Sequence, residues 1–318
     1  MPPAWRGRTI RLVFEGVMTE ATVRVNGVSA GAPHIGGFYR FGYDITPHVK
    51  LSDRADNLLE VDVNKVASDA ASEKAERRGD YWVFGGIFRP VWLEAAPVRA
   101  ITGVAIDARA DGSLAALVNF SPAAPGATVA AQVLDAHGKA VGRPFSVPLA
   151  GDRAVTDPVR LRTRVTRPRL WTAETPDLYT LRLILRQHGR TLHTLEQQFG
   201  FRTFEVRAGD GLYLNGRKII VKGVNRHSFR PATGRALDAA DSEADARLIK
   251  SMNMNTARMS HYPPDPAFLQ AADRLGLYVI NELSGWQAAH GTAIGRRLVS
   301  EMVARGRWRD GSCGGSPP

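Results

Sequence analysis

Cysteine is almost missing from this chain of 318 residues, which contains one, Cys313. A single cysteine excludes a disulfide within the chain and any zinc cluster built from cysteines. Long apolar runs are missing too: no stretch approaches the ~18 residues of a membrane-spanning helix, so we expect no membrane partner. The first residues, Met-Pro-Pro-Ala-Trp-Arg, lack the apolar core of a secretory signal. The compartment stays unknown, with the cytoplasm as the default expectation.

Acidic residues are outnumbered, since 31 Asp and Glu oppose 42 Lys and Arg and the formal net charge is +11. Such an excess can indicate nucleic-acid binding. The arginines are scattered singly, however, apart from the adjacent pairs at 77–78 and 296–297, and no nucleic-acid motif accompanies them. We interpret the excess as a genome-wide preference for Arg and Ala codons and expect no nucleic-acid partner.

The first two thirds of the chain have the pattern of β-sandwiches. Residues 1–96 show alternating strands at 9–14, 21–25, 38–45, 57–63 and 85–94, with a strong hairpin signal at Asn26-Gly27. Residues 97–205 hold about seven strands, a number and spacing that fit an immunoglobulin-like sandwich although its Cys–Cys pair is missing. The clearest of them are at 101–107, 115–120, 128–134, 159–165 and 179–185, with an exit strand predicted at 199–204. We therefore predict two all-β domains.

From residue 206 onward the pattern changes to alternating strands and helices. After a hairpin at 212–220, strands are predicted at 221–225, 256–259 and 277–280, and helices at 239–252, 266–275 and 292–305. The apolar stripe of the first helix is Ala244, Leu248, Ile249 and Met252. The last strand is apolar throughout, which predicts cover on both faces. Strand–helix alternation implies parallel strands with right-handed crossovers.

Polar residues cluster where each of these three strands ends. They are residues 225–227 (Asn-Arg-His), 258–261 (Arg-Met-Ser-His) and 281–282 (Asn-Glu). In a β/α barrel the carboxyl ends of the strands face the active site, so three strands would deliver polar groups to one mouth. The alternative is that strand ends are polar simply because they leave the core.

These residues resemble those of a known family, glycoside hydrolase family 2. Residues 255–263 (Asn-Thr-Ala-Arg-Met-Ser-His-Tyr-Pro), with 268–280 behind them, resemble a family signature. Residues 222–227 (Lys-Gly-Val-Asn-Arg-His) are similar to the motif that ends the first barrel strand in the β-galactosidases, and 85–89 (Gly-Gly-Ile-Phe-Arg) resemble the sugar-binding domain. The resemblance implies a jelly-roll sugar-binding domain at 1–96, an immunoglobulin-like β-sandwich at 97–205 and the first part of a (β/α)8 TIM barrel at 206–318.

The resemblance implies a retaining β-glycosidase, most like a β-galactosidase, that hydrolyses terminal β-linked sugars with two glutamates. In the family the acid/base ends an Asn-Glu pair after the fourth barrel strand, and the nucleophile lies on a later strand. Neither motif is present here. Asn281-Glu282 ends the third strand and matches the Asp-Glu that the family carries there. We therefore expect no catalytic residue in this chain, which would be inactive alone.

What the resemblance leaves is part of a sugar subsite. His227 and His261 would bind sugar hydroxyls, Arg258 would orient the nucleophile, and Asp80 matches a jelly-roll aspartate that contacts galactose and a sodium ion. The alternatives stay open: a satisfied buried imidazole for each histidine and a solvated loop acid for Asp80. The Glu-x-His that binds magnesium in galactosidases is missing from 283–290. No metal site is therefore assigned, and sodium or magnesium is expected only in the complete enzyme.

By the same resemblance the chain is expected to be incomplete at both ends. Residues 5–8 resemble the middle of a jelly roll, and residues from about 306 lack periodicity and are rich in Gly, Ser and Pro. A frameshift or a truncated gene model would explain this tail. Two other functions stay open: a carbohydrate-binding protein without catalysis, and a nonfunctional gene remnant. The family also allows a homo-oligomer, and the sequence does not separate galactose from glucuronic acid.

Overall fold

The computed structural model describes residues 1–79, 84–121, 126–149, 158–285, 288 and 291–307. Sheet dominates this part of the chain, with 22 strands and four α-helices. None of these helices is long and apolar enough to cross a membrane.

The N-terminal strands form small antiparallel sheets. One has the order β6-β1-β9, a second joins β4, β5 and β7 to β3, and β2 pairs with β8. Asn26 and Gly27 connect β3 to β4 with φ of 53° and 80°, the left-handed values of the tight hairpin turn that the sequence predicted. The strands are β1 Arg8–Phe14, β2 Val17–Met18, β3 Glu20–Val25, β4 Val28–Ser29, β5 His34–Ile35, β6 Phe41–Asp44, β7 Leu59–Asn64, β8 Gly86–Ile87 and β9 Val91–Pro97.

Two features of this region differ from the sequence-based prediction. Helix α1 (Ala70–Arg77) was not predicted, although Asp69 caps it by accepting a hydrogen bond from the Ser72 backbone N–H. The strand predicted at 38–45 is shorter and begins at Phe41, because Phe38 and Tyr39 are fully buried against a later segment of the chain. A local pattern does not reveal such a distant partner.

The middle strands form two antiparallel sheets that enclose one apolar core. The sheets have the orders β10-β11-β14 and β13-β12-β15-β16, and their inward side chains alternate with exposed ones along each strand. The strands are β10 Ala100–Ala108, β11 Ser113–Ser121, β12 Ala127–Leu134, β13 Ala140–Pro148, β14 Val159–Arg164, β15 Tyr179–Gln187 and β16 Arg190–Phe199. The exit strand predicted at 199–204 is wrong: β16 ends at Phe199, and only an isolated bridge from Leu170 to Phe201 follows before the next sheet.

The C-terminal region begins with an antiparallel sheet of β17 Phe204–Arg207, β18 Gly211–Leu214 and β19 Arg217–Ile219. A parallel sheet follows in the order β20-β21-β22, which confirms the predicted strand direction. Its elements are β20 Gly223–Arg226, α2 Ala239–Ser251, β21 Thr256–Met259, α3 Pro266–Leu275, β22 Tyr278–Ile280 and α4 Ala293–Arg307. Helix α3 ends at Gly276, whose left-handed φ of 76° fits the predicted glycine cap.

Two burial predictions in this region are wrong in part. In α2 the buried face is Ser242, Ala246 and Ile249, which confirms Ile249. The other predicted residues, Ala244, Leu248 and Met252, are exposed, Leu248 to 59%. The reason is that α3 packs on the side of the small residues, where Ser242 donates a hydrogen bond to the α3 cap, Asp265, at 3.1 Å. Strand β22 is not covered on both faces, since Ile280 is 50% exposed. Among the described strands β22 has one neighbour, β21, and its other edge is open.

Candidate active site

The carboxyl ends of the three parallel strands bring polar side chains together. Asn225 on β20 lies opposite Arg258 on β21, and Glu282 follows two residues after β22. Arg258 Nη1 lies 3.4 Å from Asn225 Oδ1, a long hydrogen bond between neighbouring strands. Parallel strands pair in register, so residues that follow each strand meet at the same edge of the sheet. The predicted convergence of polar groups at one mouth is therefore present in the structure.

The centre of this site is a network of Arg258, His261 and Glu282. Arg258 Nη2 lies 2.8 Å from Glu282 Oε2 and donates to Oε1 at 3.0 Å. His261 Nδ1 lies 3.1 Å from Glu282 Oε1 and 3.2 Å from Arg258 Nη2. Nδ1 donates to the carboxylate when it carries the hydrogen and accepts from the guanidinium when it does not. The pair of neighbours therefore fixes the plane of the imidazole in either tautomer.

Burial differs among the three side chains in a way that suits recognition of a ligand. The His261 side chain is 9% exposed, whereas Glu282 is 27% and Arg258 38% exposed. The imidazole is thus held in the protein, while the ion pair borders solvent. A hydrogen bond with a charged partner is stronger than one between neutral groups, so these groups form a pre-arranged set for polar ligand atoms.

His227 extends the site on the side of β20. Its ring centroid lies 5.6 Å from that of His261, with the planes at 78°. The adjacent Ser228 backbone N–H donates to the Tyr262 hydroxyl at 3.1 Å, and Tyr262 is 2% exposed. The hydrogen bond between Ser228 and Tyr262 therefore joins the segments that follow β20 and β21. Ser228 directly follows His227, and Tyr262 directly follows His261.

The structure thus brings His227, Arg258 and His261 together, as the sequence predicted. Asp80, the fourth predicted residue, lies outside the described residues. Sequence reasoning excluded Glu282 as the acid/base and gave it no other role, yet it is the partner of both Arg258 and His261. Its position directly after β22 was the signal that could have revealed this contact.

The described residues offer no group of three or more His, Cys, Asp and Glu side chains that could hold a metal ion. His227, His261 and Glu282 lie at the mouth without forming such a group. Arg258 already neutralises the carboxylate. These residues do not fit a metal centre by themselves. Part of the segment 283–290, where the resemblance raised the magnesium question, lies outside the described residues.

A cavity among the described residues lies apart from these side chains. A space of about 500 Å³ lies between the β18–β19 hairpin and strands β21 and β22. Leu214, Ile219, Thr256 and Val279 line it, but Arg258, His261 and Glu282 do not. Chemistry, rather than cavity size, therefore locates the candidate site.

Comparison with known proteins supplies the wider context. Residues 100–202 match the model for glycosyl hydrolases family 2, and residues 204–309 match the model for the TIM barrel domain of that family. A beta-galactosidase from Priestia megaterium is 32% identical over 301 residues, which cover 91% of this chain and 28% of that protein. A beta-galactosidase from Bacteroides ovatus is also 32% identical, over 87% of this chain and 32% of its own length.

Solved structures agree with these matches. A beta-glucuronidase from Bacteroides uniformis superposes with a TM-score of 0.83 at 27% identity, over 98% of this chain and 38% of that chain. The chain thus spans about a third of the length of the relatives it matches.

Proposed function

Because this chain belongs to glycoside hydrolase family 2, we propose that it carries part of the sugar subsite of a retaining β-glycosidase. The observation that supports this most directly is the network of Arg258, His261 and Glu282 at the carboxyl ends of parallel strands. In barrels of this kind, those ends form the active site. The proposed architecture is a jelly roll, an immunoglobulin-like sandwich and the first part of a TIM barrel.

Within this site the side chains have different proposed tasks. His261 and His227 bind hydroxyl groups of a terminal β-linked sugar through their ring nitrogens. Arg258 supplies a fixed positive charge, which in the intact active site would orient the nucleophilic carboxylate. Glu282 holds Arg258 and His261 in place, since each of its oxygens has a partner at about 3 Å or less.

The two catalytic carboxylates are proposed to lie outside these 318 residues. A retaining enzyme needs two carboxyl groups about 5 to 5.5 Å apart, one to attack the anomeric carbon and one to protonate the leaving oxygen. Glu282 is engaged by two partners and follows the third parallel strand, β22. We therefore expect binding of sugar without turnover by this chain.

The sugar itself is proposed as a galactoside, with a glucuronide as the competing choice. Curated relatives include beta-galactosidases, and the superposed structures include beta-glucuronidases. Asp80 is proposed to contact the sugar and a sodium ion in the complete enzyme, where magnesium is a second proposed ion. The carboxylate of a glucuronide would need a cation near the subsite, and Arg258 is already paired with Glu282. That pairing favours the neutral galactoside.

The test is a binding titration of the full chain with methyl β-galactoside and with methyl β-glucuronide. Binding is measured by calorimetry or by ligand NMR. We expect the galactoside to bind and His261→Gln or Arg258→Met to weaken it at least about tenfold, the equivalent of ~1.4 kcal/mol. Arg182→Met is the matched control, because Arg182 forms a similar ion pair with Glu196 in the middle sheet. Equal affinities in the three variants would contradict the proposed subsite.

A second candidate is a carbohydrate-binding protein without catalysis. It is favoured by the same double engagement of Glu282, which leaves the described mouth without an uncommitted carboxylate beside Arg258 and His261. The two proposals differ for a version completed with the remaining barrel strands. Hydrolysis of an aryl β-galactoside by that version would support the glycosidase, and tight binding without hydrolysis would support the binding protein.

A further inference from the structure

An apolar contact joins the N-terminal region to the turn that follows β21 and to helix α4. Met18, Phe38 and Tyr39 come from the N-terminal region, and Tyr262 and Leu298 from the C-terminal region. Each of the five is at most 2% exposed. We refer to these five residues as the junction core. Because the side chains come from both regions, the N-terminal region forms one wall of the structure that supports the mouth.

Arg89 crosses this junction with a two-pronged hydrogen bond. Its Nη1 donates to the Phe38 carbonyl at 2.9 Å, and its Nη2 donates to the Pro263 carbonyl at 2.7 Å. The residue is 6% exposed, and its guanidinium carbon lies 5.2 Å from the centroid of the Phe88 ring. The planar fork of arginine suits two acceptors at once, whereas the ammonium of lysine acts as a point charge. Arg89 therefore fixes the distance between residue 38 and the turn that follows β21.

The same turn is held by aromatic stacking. The rings of Phe38 and Tyr262 are parallel within 7°, with centroids 4.6 Å apart. The guanidinium of Arg235 lies 5.1 Å from the Phe38 centroid and 4.6 Å from that of Tyr262. Such contacts give the Tyr262 ring a defined position as well as burial.

Tyr262 passes this constraint on to the two histidines. It directly follows His261 in the chain, and its hydroxyl accepts the hydrogen bond from the backbone N–H of Ser228, which directly follows His227. Arg89 and Phe38 thus act on the 260–263 turn, which contains His261 and contacts the residue that follows His227. A shift of this turn would move both histidines relative to Glu282.

We propose that Arg89 is a positioning residue for the sugar subsite, which it serves by clamping the 260–263 turn to the N-terminal region so that His261 and His227 keep their places. This inference rests on the proposed function for the identity of the ligand. It gives the Gly-Ile-Phe-Arg segment a role at the mouth although Arg89 touches no sugar. Replacement of a purely structural residue would lower stability but leave the site of the folded chain unchanged. Replacement of Arg89 is expected to change the site at temperatures at which the chain is still folded.

The experiment compares the full 318-residue chain with Arg89→Met, Arg89→Lys and the control Arg24→Met. Arg24 is an arginine of the same N-terminal sheets whose ion pair with Asp62 lies away from the junction. Circular dichroism and thermal unfolding establish that each variant is folded at the working temperature. The ¹⁵N imidazole resonances of His227 and His261, assigned with His227→Gln and His261→Gln, report the site directly. Affinity for methyl β-galactoside is measured on the same samples.

We expect Arg89→Met to shift the imidazole resonances of His261 and His227 and to weaken methyl β-galactoside about tenfold, roughly the effect of one lost hydrogen bond. Arg89→Lys should shift the same resonances by less, and Arg24→Met should leave both readouts unchanged. Unchanged histidine resonances in a folded Arg89→Met or Arg89→Lys would overturn the inference. The lysine variant decides if the methionine variant does not fold.

The two proposals fail in different ways. If the unmodified chain does not bind methyl β-galactoside, the proposed ligand is wrong, and the histidine resonances alone then decide on the positioning role. If the unmodified chain binds the sugar and Arg89→Met binds it equally well, the positioning role is wrong and the proposed function stands.

Discussion

Glu76 offers a pH-dependent test of the contact between the N-terminal region and the mouth. This α1 residue is fully buried, accepts a hydrogen bond from the Gly37 backbone N–H at 2.7 Å, and lies 3.5 Å from the hydroxyl of Ser284. Burial raises the pKa of its carboxyl from an ordinary 4.5 to about 7, and the negative charge of Glu73 acts in the same direction. The hydrogen bonds and the charge of Arg235 oppose the rise without cancelling it.

The sign of the effect follows from the two pKa values. In the unfolded chain Glu76 loses its proton near pH 4.5, whereas in the folded chain it keeps the proton up to about pH 7. Between these values Glu76 is protonated in the folded state and ionised in the unfolded state, so its contribution to the free energy of unfolding falls as pH rises and levels off above about pH 7. The difference between the two pKa values corresponds to about 3 kcal/mol.

Glu76→Gln removes this pH dependence because the amide does not ionise. Its oxygen still accepts from Gly37, and its NH₂ group donates to the Ser284 hydroxyl. We expect the variant to exceed the unmodified chain in free energy of unfolding by up to about 3 kcal/mol at pH 8 and to match it near pH 4, below the pKa of Glu76 in the unfolded chain. His34 makes an opposite contribution, since burial lowers its pKa from 6.5 to about 3 and only the unfolded chain protonates the ring between these values. Both chains contain His34, so its contribution cancels in the difference between them.

The measurement is urea unfolding monitored by tryptophan fluorescence at pH values from about 4 to about 8, with the difference between the two chains plotted against pH. Glu60→Gln, a change at an exposed strand residue of the same region, is the control and should leave the profile unchanged. Parallel profiles for Glu76→Gln and the unmodified chain would refute the reasoning, because they would mean that Glu76 ionises alike in the folded and unfolded states.

Three further outcomes are expected. Glu282→Gln weakens the contacts to Arg258 and His261 and should reduce the affinity for methyl β-galactoside about tenfold. The free energy of unfolding should fall by under ~1 kcal/mol, because the Arg258–Glu282 ion pair is partly exposed. Unchanged affinity in calorimetry would contradict this. Gly276→Ala should lower the free energy of unfolding by more than ~1 kcal/mol, since a Cβ there would lie 2.3 Å from the Ala173 carbonyl oxygen at a φ of +76°; an unchanged melting temperature would count against it. Trp171→Phe loses the 2.8 Å hydrogen bond to the Asp273 carbonyl and should cost about 1 kcal/mol, seen as a lower melting temperature; equal stability would show that this bond does not hold the middle and C-terminal regions together.

Much of the secondary structure could be predicted because it depends on local patterns. The period-two alternation of β12 and β15, the Asn26-Gly27 turn and the glycine after α3 are all readable within a few residues. The convergence of Arg258, His261 and Glu282 was also accessible, since parallel strands place their carboxyl ends side by side. The order of polar residues along the chain was enough for that inference.

What sequence reasoning missed depends on distant partners. The buried face of α2 is set by packing against α3 and its cap, so Leu248 is left outside while its neighbour Ile249 is buried. Likewise, Arg89 was read as part of a sugar-binding motif, because nothing near it in the chain shows that Pro263 is its acceptor. Such contacts are set by tertiary packing, which overrides local preference.

The hydrogen bond from Arg89 to Pro263 also has a consequence for how the chain is made. Its two ends are 174 residues apart, so at ribosomal speeds of about 5 to 20 residues per second the N-terminal region waits roughly ten to thirty-five seconds for its partner. During that interval Phe38 and Tyr39 have no Tyr262 or Leu298 to cover them. The nascent N-terminal region therefore exposes these apolar side chains until the C-terminal region has been synthesised.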